Sequence, residues 1–133
     1  MVNKEIQNLR QLAKCWNNLD ATFIKGFLTS DFVYASQWVL APLNGSSNFQ
    51  DYLCKKFDAI KTSMLSQVMS VSAEMAYCPE LENRPCLVLT QITNESIRQV
   101  TVLIENRADK ISRIEVCFIP EPSTTFLTGE TPK

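Results

Sequence analysis

From Asn3 to Asn17 the apolar residues Ile6, Leu9, Leu12, Ala13 and Trp16 recur at steps of three and four, which gathers them on one stripe of a helix. Asn17-Asn18-Leu19-Asp20 ends that pattern. Asp20 is placed to cap a second, short helix running through Leu28, with Ile24, Phe27 and Leu28 facing inward. After Thr29-Ser30-Asp31, the run from Phe32 to Leu40 is rich in aromatic and β-branched residues and predicts a strand or short hairpin, closed by Pro42 and Gly45. Ser46 or Ser47 can cap a third helix, in which Phe49, Tyr52, Leu53, Phe57, Ile60 and Met64 form the inner stripe. Asp51, Lys55, Asp58 and Thr62 take its opposite face, and Asp51 and Lys55 read as a solvated surface pair.

In the second half the helical period gives way to the two-residue period of strands. The segments 67–77, 86–93, 97–105 and 110–119 alternate or run apolar between Pro79, Pro85, Asn94-Glu95-Ser96 and Asn106 to Asp109, and they predict a meander. In the last two, Val100, Val102, Ile104, Ile114, Val116 and Phe118 share one face, while Gln99, Thr101, Glu105, Arg113 and Glu115 lie mostly on the other. Segment 86–93 is apolar on both faces, through Cys86, Val88 and Ile92 and through Leu87 and Leu89, so its outer face needs a cover, which a partner subunit would supply. Beyond Pro120, residues 121–133 lack periodicity and predict a flexible C-terminal tail to a single domain spanning 1–120. The class is α+β: three N-terminal helices packed in the concave face of a curved, mostly antiparallel sheet.

Composition narrows the chemistry. The chain has 133 residues, 45% hydrophobic and 20% charged, and at that size about two thirds of the unfolded surface is buried without disulfides or a structural metal. With 13 basic and 14 acidic side chains it presents no basic field for nucleic acid. It has no histidine, which removes Ser-His-Asp and Cys-His catalysis, histidine-ligated zinc and imidazole switching. Three glycines are too few for a dinucleotide fingerprint, and no cofactor or metal site is expected. The five cysteines, Cys15, Cys54, Cys78, Cys86 and Cys117, lack C-x-x-C spacing and read as reduced, buried hydrophobes, with Cys78 and Cys86 the one pair worth testing for a disulfide. Met-Val-Asn-Lys-Glu-Ile leads into an amphipathic pattern rather than a signal peptide, and no run is long enough to span a membrane, so a cytoplasmic location is expected.

The order Trp16, Asp20, Phe27-Leu28, Asp31-Phe32-Val33-Tyr34, Gly45 and then the helix carrying Phe49, Tyr52, Leu53 and Phe57 resembles the nuclear transport factor 2-like (cystatin-like cone) superfamily, which includes ketosteroid isomerase and polyketide cyclase-like proteins. The resemblance covers about residues 5–120. It implies a cone with an apolar internal pocket, often in a homodimer packed through the sheet. In enzymatic members the pocket acid commonly follows the strand whose counterpart is Phe32 to Tyr34; that position falls at Ala35 or Ser36, neither of which can accept a proton at neutral pH.

Of the carboxylates in structured segments, Asp20 reads as a cap and Asp31 as a turn residue at a strand entry. Glu74 lies between inward-facing Ala73 and Met75 and points outward on that register; on the other register it is a desolvated pocket base. Trp16, Tyr34, Trp38 and Phe57 are candidates to line the pocket, with the Ser36 and Tyr34 hydroxyls orienting a polar atom of the ligand; the alternative for the aromatics is ordinary core. Three functions compete. The first is a binding module for a small apolar or aromatic molecule. The second is an isomerase, dehydratase or cyclase-like enzyme with Glu74 as base and Tyr34 as hydrogen-bond donor. The third is a structural dimerisation domain whose pocket is filled by its own side chains.

Overall fold

A computed structural model describes residues 3–37 and 39–133; the expectation for Trp38 lies outside the described residues. Helix α1, Lys4–Asn18, starts where the Asn3 side-chain oxygen accepts the N–H groups of Glu5 and Ile6 at 3.0 and 3.3 Å, satisfying donors that no helical carbonyl can reach. It buries Leu9, Leu12, Ala13 and Cys15 and ends at Leu19, whose φ of 51° is left-handed. Asp20 does cap the next turn, accepting the Thr22 N–H at 2.9 Å. That turn, however, is a single 3-10 turn, Ala21–Ile24, so the described residues form two α-helices where three were predicted. Gly26, at φ 87°, takes the chain out of helical geometry, and the Phe27 carbonyl already accepts the Ile111 N–H of the sheet at 2.8 Å.

Strand β1, Leu28–Ser36, therefore begins earlier than expected and forms a hairpin with β2, Val39–Asn44. Asp31 sits within β1 rather than at its entry, ion-paired with Arg107, whose guanidinium holds the carboxyl below its usual range. Pro42 lies inside β2 rather than ending it, because β2 is an edge strand and has no ladder on its free side. Helix α2, Ser46–Met64, is preceded by Gly45 without a side-chain cap, so neither Ser46 nor Ser47 is the cap; it buries Phe49, Leu53, Phe57 and Ile60 and leaves Met64 exposed.

The meander follows as β3, Met69–Cys78, β4, Arg84–Thr93, β5, Ile97–Arg107, and β6, Lys110–Cys117. A two-residue strand, β7, Phe126–Leu127, completes a seven-stranded sheet of order β2-β1-β6-β5-β4-β3-β7, antiparallel except where β1 meets β6. Both helices contribute to the main core on one face, against Ala73, Met75, Leu87, Leu89, Val102, Ile104, Ile111, Ile114 and Val116. No helix among the described residues is long and apolar enough to cross a membrane.

The opposite face holds a second cluster, Ala76, Cys78, Cys86, Val88, Leu103 and Cys117, and this overturns the reason for expecting a partner subunit on β4. Leu87 and Leu89 belong to the main core, while Cys86 and Val88 are 0% and 2% exposed within the single chain. That face is thus covered within the chain, and the segment that was expected to be a flexible tail is itself docked on the sheet. Leaving β6 in mid-sheet, the chain touches β5 through a 3-10 turn, Pro122–Thr124, and reaches the free side of β3 as β7. There Thr128 donates its N–H to the Met75 carbonyl at 3.0 Å and Met75 donates to Glu130 at 2.8 Å.

Candidate functional site

Between α2, the end of α1 and the sheet lies a cavity of about 730 Å³. Its apolar lining comes from Trp16 on α1, Val71 on β3, Leu89 on β4, Val100 on β5 and Val116 on β6. Its polar lining comes from Tyr34 and Ser36 on β1, Tyr52 and Lys56 on α2, Thr90 and Gln91 on β4, and Arg98 and Gln99 on β5. Tyr52 and Lys56 are four residues apart, so one helical face delivers both, and Lys56 Nζ lies 5.9 Å from the centre of the Tyr52 ring. On β4 and β5 the register sets Gln91 opposite Arg98 and Thr90 opposite Gln99, and Gln99 Nε2 donates to Thr90 Oγ1 at 3.1 Å.

Three of the residues singled out from the sequence, Trp16, Tyr34 and Ser36, are brought together on this cavity. Phe57 is not: it is 2% exposed in the core behind Trp16, edge-to-face with it at 5.0 Å. Tyr34 belongs to an aromatic row in which its ring lies 5.0 Å from Phe49 and 5.2 Å from Tyr52. Burial raises the Tyr34 phenol above its ordinary value, and the neighbouring Tyr52 pushes it the same way, so its hydroxyl remains a hydrogen-bond donor at neutral pH.

Glu74 lies elsewhere. It alternates with buried Ala73 and Met75, pairs with Val88 of the outer cluster, and its Oε2 accepts the Gly129 N–H at 2.9 Å. The register that would make it a pocket base is therefore not the one adopted: the two-residue alternation sends it to the face of the outer cluster. The ionisable groups among the described lining residues are Tyr34, Tyr52, Lys56 and Arg98, with no carboxylate. Sequence reasoning missed Lys56, Gln91, Arg98 and Gln99. The one signal for the last two was a pair of polar residues opening the otherwise apolar run of β5.

Chemically, such a lining grips an apolar body by contact and orients it through hydroxyl, amide and cationic donors. It offers donors to an oxyanion but, among the described residues, no carboxylate to take up a proton.

No protein-family model matches the sequence, and no curated protein matches it significantly. Solved structures do match in fold. An uncharacterized cystatin-fold protein from Novosphingobium aromaticivorans superposes with a TM-score of 0.64 at 12% identity, over 88% of this chain and 99% of that one. A nuclear transport factor 2-like protein of unknown function from Cytophaga hutchinsonii gives 0.60 at 15% identity, over 92% and 96%. An LEH-like epoxide hydrolase of M. tuberculosis gives 0.57 at 12% identity, over 85% and 80%. The chain thus has the cone fold of the nuclear transport factor 2-like, cystatin-like superfamily.

Proposed function

We propose that this chain is a small-molecule binding module that holds a ligand with an apolar or aromatic body in the cavity between α2 and the sheet, without acid–base chemistry of its own. The observation that carries the reading is the cavity itself: about 730 Å³, with a floor of Trp16, Val71, Leu89, Val100 and Val116 and with Tyr34 and Ser36 to orient a polar atom. Ligand pockets typically enclose about 300–1,000 Å³. A scaffold domain that fills its own pocket would not leave such a volume, so the structural reading is the weaker one. The enzyme reading gains from the likeness to an epoxide hydrolase, but the base it requires, Glu74, is engaged with Gly129 on the other face. Homodimerisation through the sheet stays in the proposal on the resemblance alone, with light scattering as its check.

The test uses a neutral naphthalene probe, N-phenyl-1-naphthylamine, whose fluorescence rises in an apolar site. Saturable binding to one site per chain is expected. Val100→Trp, which fills the cavity from a half-buried position, should weaken it by about tenfold or more, a loss of about 1.4 kcal/mol, with the thermal midpoint little changed. Non-saturable fluorescence, or binding that Val100→Trp leaves intact, would overturn the reading.

A further inference from the structure

We propose that the ligand of this cavity is an amphipathic anion, an apolar body carrying a carboxylate or a comparable acid group, which Arg98 and Lys56 neutralise. The inference rests on the reading of the cavity as a binding site and adds the charge of its occupant.

Four of the five arginines have a carboxylate partner within the chain: Arg10 with Glu130 at 2.8 Å, Arg84 with Glu5 at 3.7 Å, Arg113 with Glu115 at 3.8 Å, and Arg107 with Asp31. Arg98 has none within 4.0 Å, although every Asp and Glu of the chain lies among the described residues. Lys56 likewise has no carboxylate within that distance and lies over the Tyr52 ring instead. These two cations stand on different walls of the same cavity, α2 and the start of β5, and its described lining contributes no negative charge to offset them. In a chain of net charge −1 this is a local concentration of positive charge beside an apolar floor. Two like charges facing a shared concavity repel each other, and an anion bound between them turns that repulsion into attraction for both.

An amphipathic anion meets both halves of the site at once. Its body covers the valine, leucine and tryptophan floor, while its acid group reaches the guanidinium, whose planar fork matches a carboxylate or sulfonate through two parallel hydrogen bonds. Gln91, in register with Arg98, supplies a further amide donor beside it. Because Arg98 and Lys56 are both exposed, their attraction is open to salt, which gives the proposal a second readout.

The experiment compares N-phenyl-1-naphthylamine with 8-anilino-1-naphthalenesulfonate, the same ring system with and without an acid group. In low salt the sulfonate is expected to bind about tenfold more tightly, the difference narrowing several-fold toward 0.5 M salt, on the order of what one charge-assisted contact provides. Arg98→Gln with Lys56→Gln should reduce the ratio of affinities to about one while leaving the neutral probe bound, and Lys55→Gln, one residue along α2 and outside the cavity, should leave the ratio unchanged. Equal binding of the two probes by the wild-type chain would overturn the proposal and leave the cavity reading standing. So would a preference that survives the double variant. Failure of both probes to bind would remove the cavity reading and this inference with it.

Discussion

Buried thiols are neutral thiols, because removing water penalises the thiolate far more than the uncharged form. Burial pushes Cys15 up to about 12, Cys86 to about 12 and Cys117 to about 11. All five cysteines are free, and Cys54 on α2 is the exposed one. A thiol reagent added to the native protein should therefore modify one cysteine promptly, at Cys54, and the other four only on unfolding; prompt loss of two or more would contradict the burial of those four. The same shifts have a definite sign in stability. An unfolded thiol ionises near pH 8.5, while the folded chain keeps its protons to about 11 or 12, so the folded state holds more protons between those values and loses stability as pH rises through them. Urea unfolding at pH 7, 9 and 10.5 should show this decline, and Cys86→Ala should make it shallower. Glu74 offers a test of placement. Its single hydrogen bond to Gly129 lies on the face opposite the cavity, so Glu74→Gln should cost under about 1 kcal/mol and leave probe affinity unchanged. A tenfold weaker affinity would put this carboxylate at the ligand.

Gly45 is where the entry to α2 departs from what serine-rich sequence suggests. A serine can cap a helix only from a position whose backbone is extended, and Ser46 is already helical, leaving Gly45 at φ 92° to make the turn. Its N–H reaches the Phe32 carbonyl at 2.7 Å, tying the start of α2 to β1. Gly45→Ala should thus lower stability by about 1 kcal/mol or more, through backbone strain rather than lost space, since the nearest atom to an added Cβ would be Asn48 Nδ2 at 3.8 Å. Thermal unfolding checks it, and an unchanged midpoint would mean that the turn relaxes freely. The two long helices were legible because five or six apolar residues repeat along each stripe. Residues 20–28 were not, since a few apolar positions fit a short helix as well as they fit one 3-10 turn and a strand entry. The difference was made by contacts distant in sequence, such as that of Phe27 with Ile111.

At the scale of the whole molecule, what sequence periodicity reveals is which residues are inside, not which side of a sheet counts as inside. That is why β4, apolar on both faces, suggested a second subunit although both faces are buried within the chain, and why the C-terminal residues, polar and aperiodic, gave no sign of docking on β3. The cavity was legible in part, through Trp16, Tyr34 and Ser36, whereas nothing in the helical or strand pattern singles out Lys56 and Arg98 until α2 is set against β5. The docking of the C-terminal segment can be tested at its joints. Asn17, at the end of α1, accepts the Ala73 N–H at 2.7 Å and donates to the carbonyls of Ala73 and Pro132 at 2.9 and 2.6 Å. It thereby closes β3 beyond the reach of β7 and ties the end of the chain to it. Arg10 joins Glu130 of the same segment by an ion pair, but both side chains are largely exposed, 45% and 43%. Asn17→Ala leaves the N–H of buried Ala73 unpaired, a cost of about 1–3 kcal/mol, whereas Arg10→Ala gives up an exposed pair worth under about 1 kcal/mol. Urea unfolding should rank the two variants in that order. Chymotrypsin cleavage at Phe118 or Phe126 should quicken clearly in Asn17→Ala and little in Arg10→Ala, because an edge strand stripped of its closure releases the segment laid along it. Equal losses from the two variants, or cleavage no faster in Asn17→Ala, would mean that the pairing of β7 and residues 128–130 with β3 holds the segment in place without Asn17.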